Sequence, residues 1–206
     1  MALLLNVDVA GRLVVVVGCG PAGQEKVDRL LAAGAQVRVV DPVPPAAVVD
    51  GVEVVARAFL PGDVDGAWLV VAATGRPDVD DAVQAAADAA GTWLTRADRR
   101  DGAGVSFAAT VERPPVMVGV STGGASPAFA RWLRDRIASA VPEEVGQLVA
   151  MLADRPRRAG RRGHRDLPFD DALDALVAGD VDRARALLSA PAGDGEPGSS
   201  GARSPR

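Results

Sequence analysis

Tyrosine is absent from this chain, and cysteine, histidine and lysine each occur once, as Cys19, His164 and Lys26. A single cysteine excludes an intrachain disulfide and a multi-cysteine zinc site. A single histidine excludes a histidine-rich metal site, so no metal ligands are assigned. Aromatic residues make up only 3% of the 206 residues, too few for the stacking platform on which single-stranded nucleic acid is held. The formal net charge of −4 also argues against nucleic acid as a partner, because such binding draws on a basic face or stripe. No apolar run approaches the roughly 18–20 residues that cross a bilayer, and no membrane association is expected. Met1 to Asp8 has no basic region before its apolar stretch and no small-residue cleavage pattern, so it does not read as a signal peptide. The expected location is the cytoplasm. A Gly-x-Ser-x-Gly elbow, a phosphate-loop lysine motif and a His/Glu zinc pattern are missing as well, which leaves hydrolase and ATPase readings without support.

What the chain does contain is 48% hydrophobic and 24% charged residues, the balance of one globular domain, or of one domain with a small appendage. A domain of about 150 residues buries roughly 68–70% of the surface its unfolded chain exposes, enough for a core without staples. Strand-like and helix-like segments alternate through the first half at the spacing of βαβ units. Arg12 to Gly18 is a continuous β-branched run, as in a strand buried on both faces of a parallel sheet. Helical spacing follows from Pro21 to Ala33, a strand from Gln36 to Asp41 closed by Pro42, Pro44 and Pro45, and further strands at Val52–Ala56, Trp68–Thr74 and Thr92–Ala97. An alanine-rich helix is expected from Asp78 to Ala90. After Asp98 the pattern changes to two strand-like runs, Val105–Val111 and Val116–Ser121, then to helices beginning at Pro127 and Pro142. An arginine-rich run, Arg155 to Arg165, reads either as a solvated linker or as a patch for a polyanion. It precedes a helical pair at Pro168–Ala178 and Asp180–Leu188. From Ala190 to Arg206 there is almost nothing apolar to bury, and the segment is expected to be disordered.

The chemistry concentrates at strand ends. Gly18, Gly20 and Gly23 lie between a buried strand and a helix start, with Asp41 ending the next strand, which is the context that gives a glycine fingerprint its meaning. Gly18 permits a tight turn, Gly20 lets backbone approach a pyrophosphate, and Gly23 lets helix and strand pack closely. The helix N-terminus beyond them aims its N–H groups and dipole at phosphates. Asp41 is placed to accept hydrogen bonds from ribose hydroxyls and to repel a 2′-phosphate, so NAD is the expected cofactor rather than NADP. Cys19 is either a reactive thiol or a small filler. Thr74, after Ala72 and Ala73, either leaves room for a dinucleotide or simply ends a tightly packed strand. Asp98 ends another strand at the same edge, as a general base or as a loop-capping carboxylate. Ser121, Thr122, Gly123, Gly124 and Ser126 form a hydroxyl- and glycine-rich loop entering a helix at Pro127, either an anion cradle or a plain capped loop.

The order of these motifs resembles the precorrin-2 dehydrogenase domain of the siroheme synthase family. The resemblance rests on Val17–Gly23, Trp68–Thr74, the strand ending at Asp98, Ser106-Phe107, and Val118–Pro127 followed by Ala130-Arg131 and Leu133-Arg134. It covers about residues 3–150. It implies an α/β fold with a Rossmann-type parallel sheet, followed by a dimerisation segment and a small C-terminal helical domain. The corresponding division is 1–112 for NAD binding, 113–145 for dimerisation, 146–189 for the helical domain and 190–206 for the tail. It further implies NAD-dependent oxidation of precorrin-2, a tetrapyrrole with eight carboxylates, to sirohydrochlorin by a homodimer. Catalysis would fall on Asp98, cofactor contacts on Pro21, Ala22, Asp41 and Pro42, and tetrapyrrole contacts on the 121–126 loop. Where the family often carries Asn-Val-Val-Asp, this chain has Thr95-Arg96-Ala97-Asp98. Arg96, Arg99, Arg100, Arg131 and Arg134 are candidates for steering an acid-rich substrate. Some relatives also insert iron with the same aspartate, and a non-catalytic NAD-sensing module is a further alternative.

Overall fold

The computed structural model describes residues 3–43, 51–99, 104–154 and 167–189. Pro44 and Pro45, Arg100 and Asp101, the arginine-rich run with His164, and the segment expected to be disordered lie outside the described residues. The chain divides into two compact units, one reaching Ala108 and including Gly123–Ala125, the other formed by Ala109–Thr122 and the residues from Ser126 onward.

The first unit is the Rossmann-type sheet. Strands β1 (Leu13–Val17), β2 (Gln36–Val40), β3 (Val52–Val55), β4 (Leu69–Ala72) and β5 (Trp93–Arg96) are all parallel, in the order β3-β2-β1-β4-β5. Helices α1 (Pro21–Ala32) and α2 (Pro77–Ala90) cover its two faces. The alternation of side chains along each strand divides the valine runs between them. Val14, Val16, Val37, Val39 and Val71 pack with Val27 and Leu30 of α1. Val15, Val17, Val40, Val70 and Leu94 pack with Val83 and Ala87 of α2. Each fully buried valine contributes about 1.5–3 kcal/mol, and this two-sided burial is why β1 needs no polar residue at all. A 3₁₀ turn, Pro61–Val64, precedes β4; Asp63 within it accepts hydrogen bonds from the Arg57 guanidinium at 2.6 and 2.8 Å and from the Leu60 N–H at 2.8 Å.

The second unit opens with the antiparallel pair β6 (Ala109–Arg113) and β7 (Val116–Val120), joined at Pro114-Pro115. The strand expected over Val105–Val111 therefore starts later and runs further. The Val105 N–H bonds the Leu94 carbonyl at 3.0 Å, which ties the preceding residues to β5 instead of to β7. Helix α3 (Pro127–Ala140) packs on this hairpin, and the Arg113 Nε donates to the Val141 carbonyl at 3.1 Å, satisfying an oxygen at the helix end. Helices α4 (Val145–Ala153), α5 (Phe169–Val177) and α6 (Val181–Ser189) share a core of Leu148, Leu167, Ala172, Ala175, Leu176, Ala184 and Leu188. No helix among the described residues is long and apolar enough to cross a membrane.

Candidate functional site

The chain leaves β1 for β2 and β3 on one side, then crosses to β4 on the other. The loops after β1 and β4 consequently diverge at the carboxyl edge of the sheet, the place where open parallel sheets bind ligands. Gly18 has φ +88°, and a Cβ there would lie 2.5 Å from the Thr74 Cα. A Cβ on Gly23 would lie 2.1 Å from the Gly18 carbonyl oxygen. The two positions therefore admit glycine alone, one between neighbouring loops and the other between α1 and the end of β1. Gly20 is different: nothing lies within 4 Å of its added Cβ, and Gly20, Pro21 and Ala22 are exposed. Gly20 is also the N-cap of α1, with no side-chain cap and no acidic residue in the first turn.

Asp41 projects back onto this loop. One carboxylate oxygen accepts from the Cys19 N–H at 2.6 Å and the other from the Val43 N–H at 2.7 Å. The second bond arches the chain around exposed Pro42. Each oxygen has a second lone pair for a sugar hydroxyl, so Asp41 both fixes the glycine loop and faces outward as an acceptor. The Cys19 thiol is half-buried and donates weakly to the Gln24 Oε1 at 3.5 Å. Burial, reinforced by the nearby Asp41 and Asp28 carboxylates, pushes its pKa up, the opposite of what a reactive thiolate needs.

At the β4 end, the Thr74 hydroxyl donates to the Asp80 Oδ1 at 2.7 Å, and the Thr74 N–H reaches the same oxygen at 3.2 Å. Asp80 is 0% exposed, and its Oδ2 has no partner among the described residues. Thr74 is thus a tie between the β4 loop and the first turn of α2. Asp80→Ala is expected to cost about 1–3 kcal/mol, because it removes the buried acceptor of the half-buried Thr74 N–H and of the stronger of the hydroxyl's two bonds. Asp80→Asn, which keeps an oxygen there, is expected to cost less; urea unfolding of both variants measures the difference.

Asp98 stands just past β5, and both its oxygens are taken by one side chain. The Arg96 Nε donates to Oδ1 at 2.9 Å and Nη2 to Oδ2 at 2.8 Å, a two-bond fork. The remaining Arg96 nitrogen, Nη1, donates to Asp81 at 2.6 Å and to the Gln84 Oε1 at 2.9 Å, both on α2. Arg99 pairs with the same Asp81 oxygen. The Arg96 side chain is 0% exposed, which removes it from the residues available to steer a substrate. The fork holds the Asp98 carboxyl below the usual carboxylate range and raises Arg96 further.

The 121–126 loop closes on itself. The Thr122 hydroxyl accepts from the Ser126 N–H at 3.1 Å and donates to the Ser126 carbonyl at 3.2 Å, while the Ser126 hydroxyl caps α3 by accepting from the Phe129 N–H at 3.1 Å. Gly123 and Gly124, with φ of +59° and +95°, make the bend that this closure requires.

A family model described as "Putative NAD(P)-binding" matches residues 5–109. The chain belongs to that family. A second model, described as sirohaem biosynthesis protein central, matches residues 117–140 of this NAD(P)-binding protein. Siroheme synthase 1 of Aeromonas salmonicida is 33% identical over 154 residues, covering 72% of this chain and 33% of the relative. A siroheme synthase of Thioalkalivibrio sulfidiphilus is 37% identical over 146 residues, covering 68% and 30%. The chain thus spans about a third of the length of these curated relatives. The solved structure of SirC, a precorrin-2 dehydrogenase, superposes with a TM-score of 0.70 at 20% identity, over 91% of this chain and 97% of that one, and so shares the fold.

The residues fit the dinucleotide that the family binds. The open, uncapped α1 N-terminus beside Gly20 suits a pyrophosphate, and Asp41 suits a ribose. Asp41→Asn is expected to narrow the preference for NAD⁺ over NADP⁺ by about tenfold, roughly 1.4 kcal/mol, read as the ratio of the two dissociation constants by calorimetry. Sequence reading placed the glycines, Asp41, Thr74 and Asp98 at the carboxyl edge, and they are there. It missed Asp80, Asp81 and Gln84. The available signal was the strand period: Arg96 is two positions from Leu94, hence on the α2 face, where a cation needs acidic partners from that helix.

Proposed function

We propose that this protein is a precorrin-2 dehydrogenase, oxidising precorrin-2 to sirohydrochlorin with NAD⁺ in siroheme biosynthesis. The observation that carries the reading is the succession, in one chain, of a dinucleotide site built on Gly18, Gly20, Gly23 and Asp41 and a sirohaem-type central segment at 117–140. Bound NAD⁺ supplies a hydride acceptor. Gly20, Pro21 and Ala22 seat its pyrophosphate at the start of α1. Asp41 and Pro42 border its adenine ribose, with the negative charge of Asp41 selecting against a 2′-phosphate. Thr74, tied to Asp80 of α2, borders the glycine turn from the β4 side. Asp98 provides the acidic group at the β5 end, and the 121–126 loop receives the tetrapyrrole. The active form is a homodimer joined through residues 113–145, a role suited to exposed Met117, Phe129 and Trp132 in that segment, with 1–112 and 146–189 as the flanking cofactor and helical domains. Iron insertion would draw on the same Asp98, whose pairing with Arg96 makes it a weaker ligand; the proposed activity stops at sirohydrochlorin, with iron insertion as the second reading that the test below decides.

The test is anaerobic incubation of the purified chain with precorrin-2 and NAD⁺, following NADH absorbance and the tetrapyrrole spectrum, then adding ferrous iron. One NADH per sirohydrochlorin, stable to iron until a separate chelatase is added, is the expected result. Failure to form NADH from verified substrate, with NAD⁺ still bound, overturns the assignment and favours a sensor that binds dinucleotide without chemistry.

A further inference from the structure

We propose that Arg96 is a positioning residue for Asp98: walled in between β5 and α2, its guanidinium fixes the direction of the Asp98 carboxylate, so that Asp98 serves the reaction as a fixed negative charge and not as its proton acceptor. The inference deepens the dehydrogenase reading and rests on it.

The geometry is unusual for a carboxylate cast as a base. A base needs an oxygen with a lone pair directed at the proton it removes. Both Asp98 oxygens instead accept from Nε and Nη2 of one guanidinium, at 2.9 and 2.8 Å, which commits the lone pairs on that side and stabilises the carboxylate against taking up a proton. That guanidinium cannot swing away, because its side chain is 0% exposed and Nη1 is held by Asp81 at 2.6 Å and Gln84 at 2.9 Å. The backbone N–H of Arg99 adds a third donor to Asp98, at 2.8 Å. The charged groups around the fork are Arg96 and Arg99 from the β5 end and Asp81 from α2, with neutral Gln84 beside it. Arg99 is itself paired with Asp81. A buried cation with three acceptors is costly to assemble unless every bond is made, and here all three of its nitrogens have acceptors.

A fixed anion has a definite use in this oxidation. One C–H bond of the macrocycle breaks, and both electrons leave with the hydrogen to the bound cofactor. The macrocycle then carries a positive charge until a neighbouring N–H or C–H gives up its proton. An oriented carboxylate that needs no reorganisation lowers the energy of that cation. With Asp98 held in the fork by Arg96 and Arg99 and so a weak base, the proton passes to water, and the products are sirohydrochlorin, NADH and one solvent proton.

The test compares wild type, Arg96→Met and Arg96→Lys as full-length proteins. Arg96→Met replaces the buried cation with an apolar chain of similar reach but leaves Asp98 and Asp81 in place, so it is expected to lower stability, and urea unfolding establishes that the variant is folded before its kinetics are read. Its kcat for NADH formation is expected to fall about tenfold or more, with KM for precorrin-2 and NAD⁺ within about threefold, the signature of a contribution made in the transition state alone. The acid limb of its kcat profile is expected to move to higher pH, and Arg96→Lys to recover part of the rate. Carbon-13 titration of the Asp98 carboxyl, assigned by its loss in Asp98→Asn, is expected to show the group protonating at higher pH in Arg96→Met than in wild type. Unchanged kcat and pH profile in Arg96→Met would reduce Arg96 to a structural ion pair and overturn the proposal. So would a wild-type Asp98 that titrates at or above the ordinary carboxylate value, a measurement that stands even if Arg96→Met fails to fold. Absence of NADH from the wild type sinks the dehydrogenase reading instead, and the titration still decides whether Arg96 controls Asp98.

Discussion

Gly23→Ala is expected to lower stability by about 1–3 kcal/mol, the usual cost of forcing a methyl into a filled site, and to weaken NAD⁺ binding tenfold or more. The added Cβ meets the Gly18 carbonyl oxygen at 2.1 Å. This is a backbone atom that cannot turn aside, and it belongs to the residue whose N–H bonds the Val40 carbonyl at 2.9 Å. Relief requires α1 to lift from the end of β1 or the loop to shift, and either displaces the helix N-terminus proposed to receive the pyrophosphate. Gly20→Ala is the informative contrast. Its Cβ meets nothing and Gly20 has an ordinary extended backbone, φ −67°, so stability is expected to stay within about 1 kcal/mol while NAD⁺ affinity falls. Urea midpoints and calorimetric titration of the two variants separate a loop that packs from a loop that binds. Equal loss of affinity with no loss of stability in Gly23→Ala would mean that α1 gives way more easily than its contacts indicate.

Asp98→Ala is expected to reduce turnover by about 10²–10³-fold, the scale set by removing an oriented electrostatic group, with the dissociation constant for NAD⁺ unchanged. Asp98→Asn keeps the shape and loses the charge, so it is expected to fall almost as far. A dinucleotide sensor would be indifferent to both. The same variants carry a pH signature. The Arg96 fork depresses the folded pKa of Asp98, so its contribution to stability is fully present above the unfolded carboxylate value of about 3.9 and is lost as pH falls through the lower, folded value. Acid unfolding of Asp98→Ala should therefore be less steep over that window, while stability at neutral pH drops because Arg96 keeps only Asp81 and Gln84 as partners.

The sheet was legible in the sequence because its signal is redundant. A run such as Leu13–Val17 with no polar residue reads as a doubly buried strand, and Gly18, Gly20 and Gly23 mark the turn and helix that must follow it. The positions of Asp41 and Asp98 followed from strand ends alone. What each carboxylate touches did not follow. The Asp41 bond to Cys19 spans 22 positions and the Arg96 bonds to α2 span 12 and 15, separations that no local pattern records. Arg96 illustrates the difficulty: in a list of arginines it reads as one more surface charge, and only the strand alternation that puts it beside Leu94 reveals it as interior. The 3₁₀ turn at Pro61–Val64 escaped for a related reason, since its order depends on Asp63 receiving Arg57 and Leu60 across a non-periodic stretch.

Asp41 accepts from the Cys19 N–H within the glycine loop and from the Val43 N–H, and each of its oxygens keeps a further lone pair. In the proposed cofactor site the two halves of a dinucleotide would therefore not meet two independent subsites. Engaging the ribose would draw on the same carboxylate that holds the glycine turn in shape, so adenosine and pyrophosphate fragments should bind with non-additive free energies. A change of cofactor preference made at this one side chain would also alter the loop's rigidity, which would give the proposed site a built-in resistance to drifting between the two nicotinamide pools.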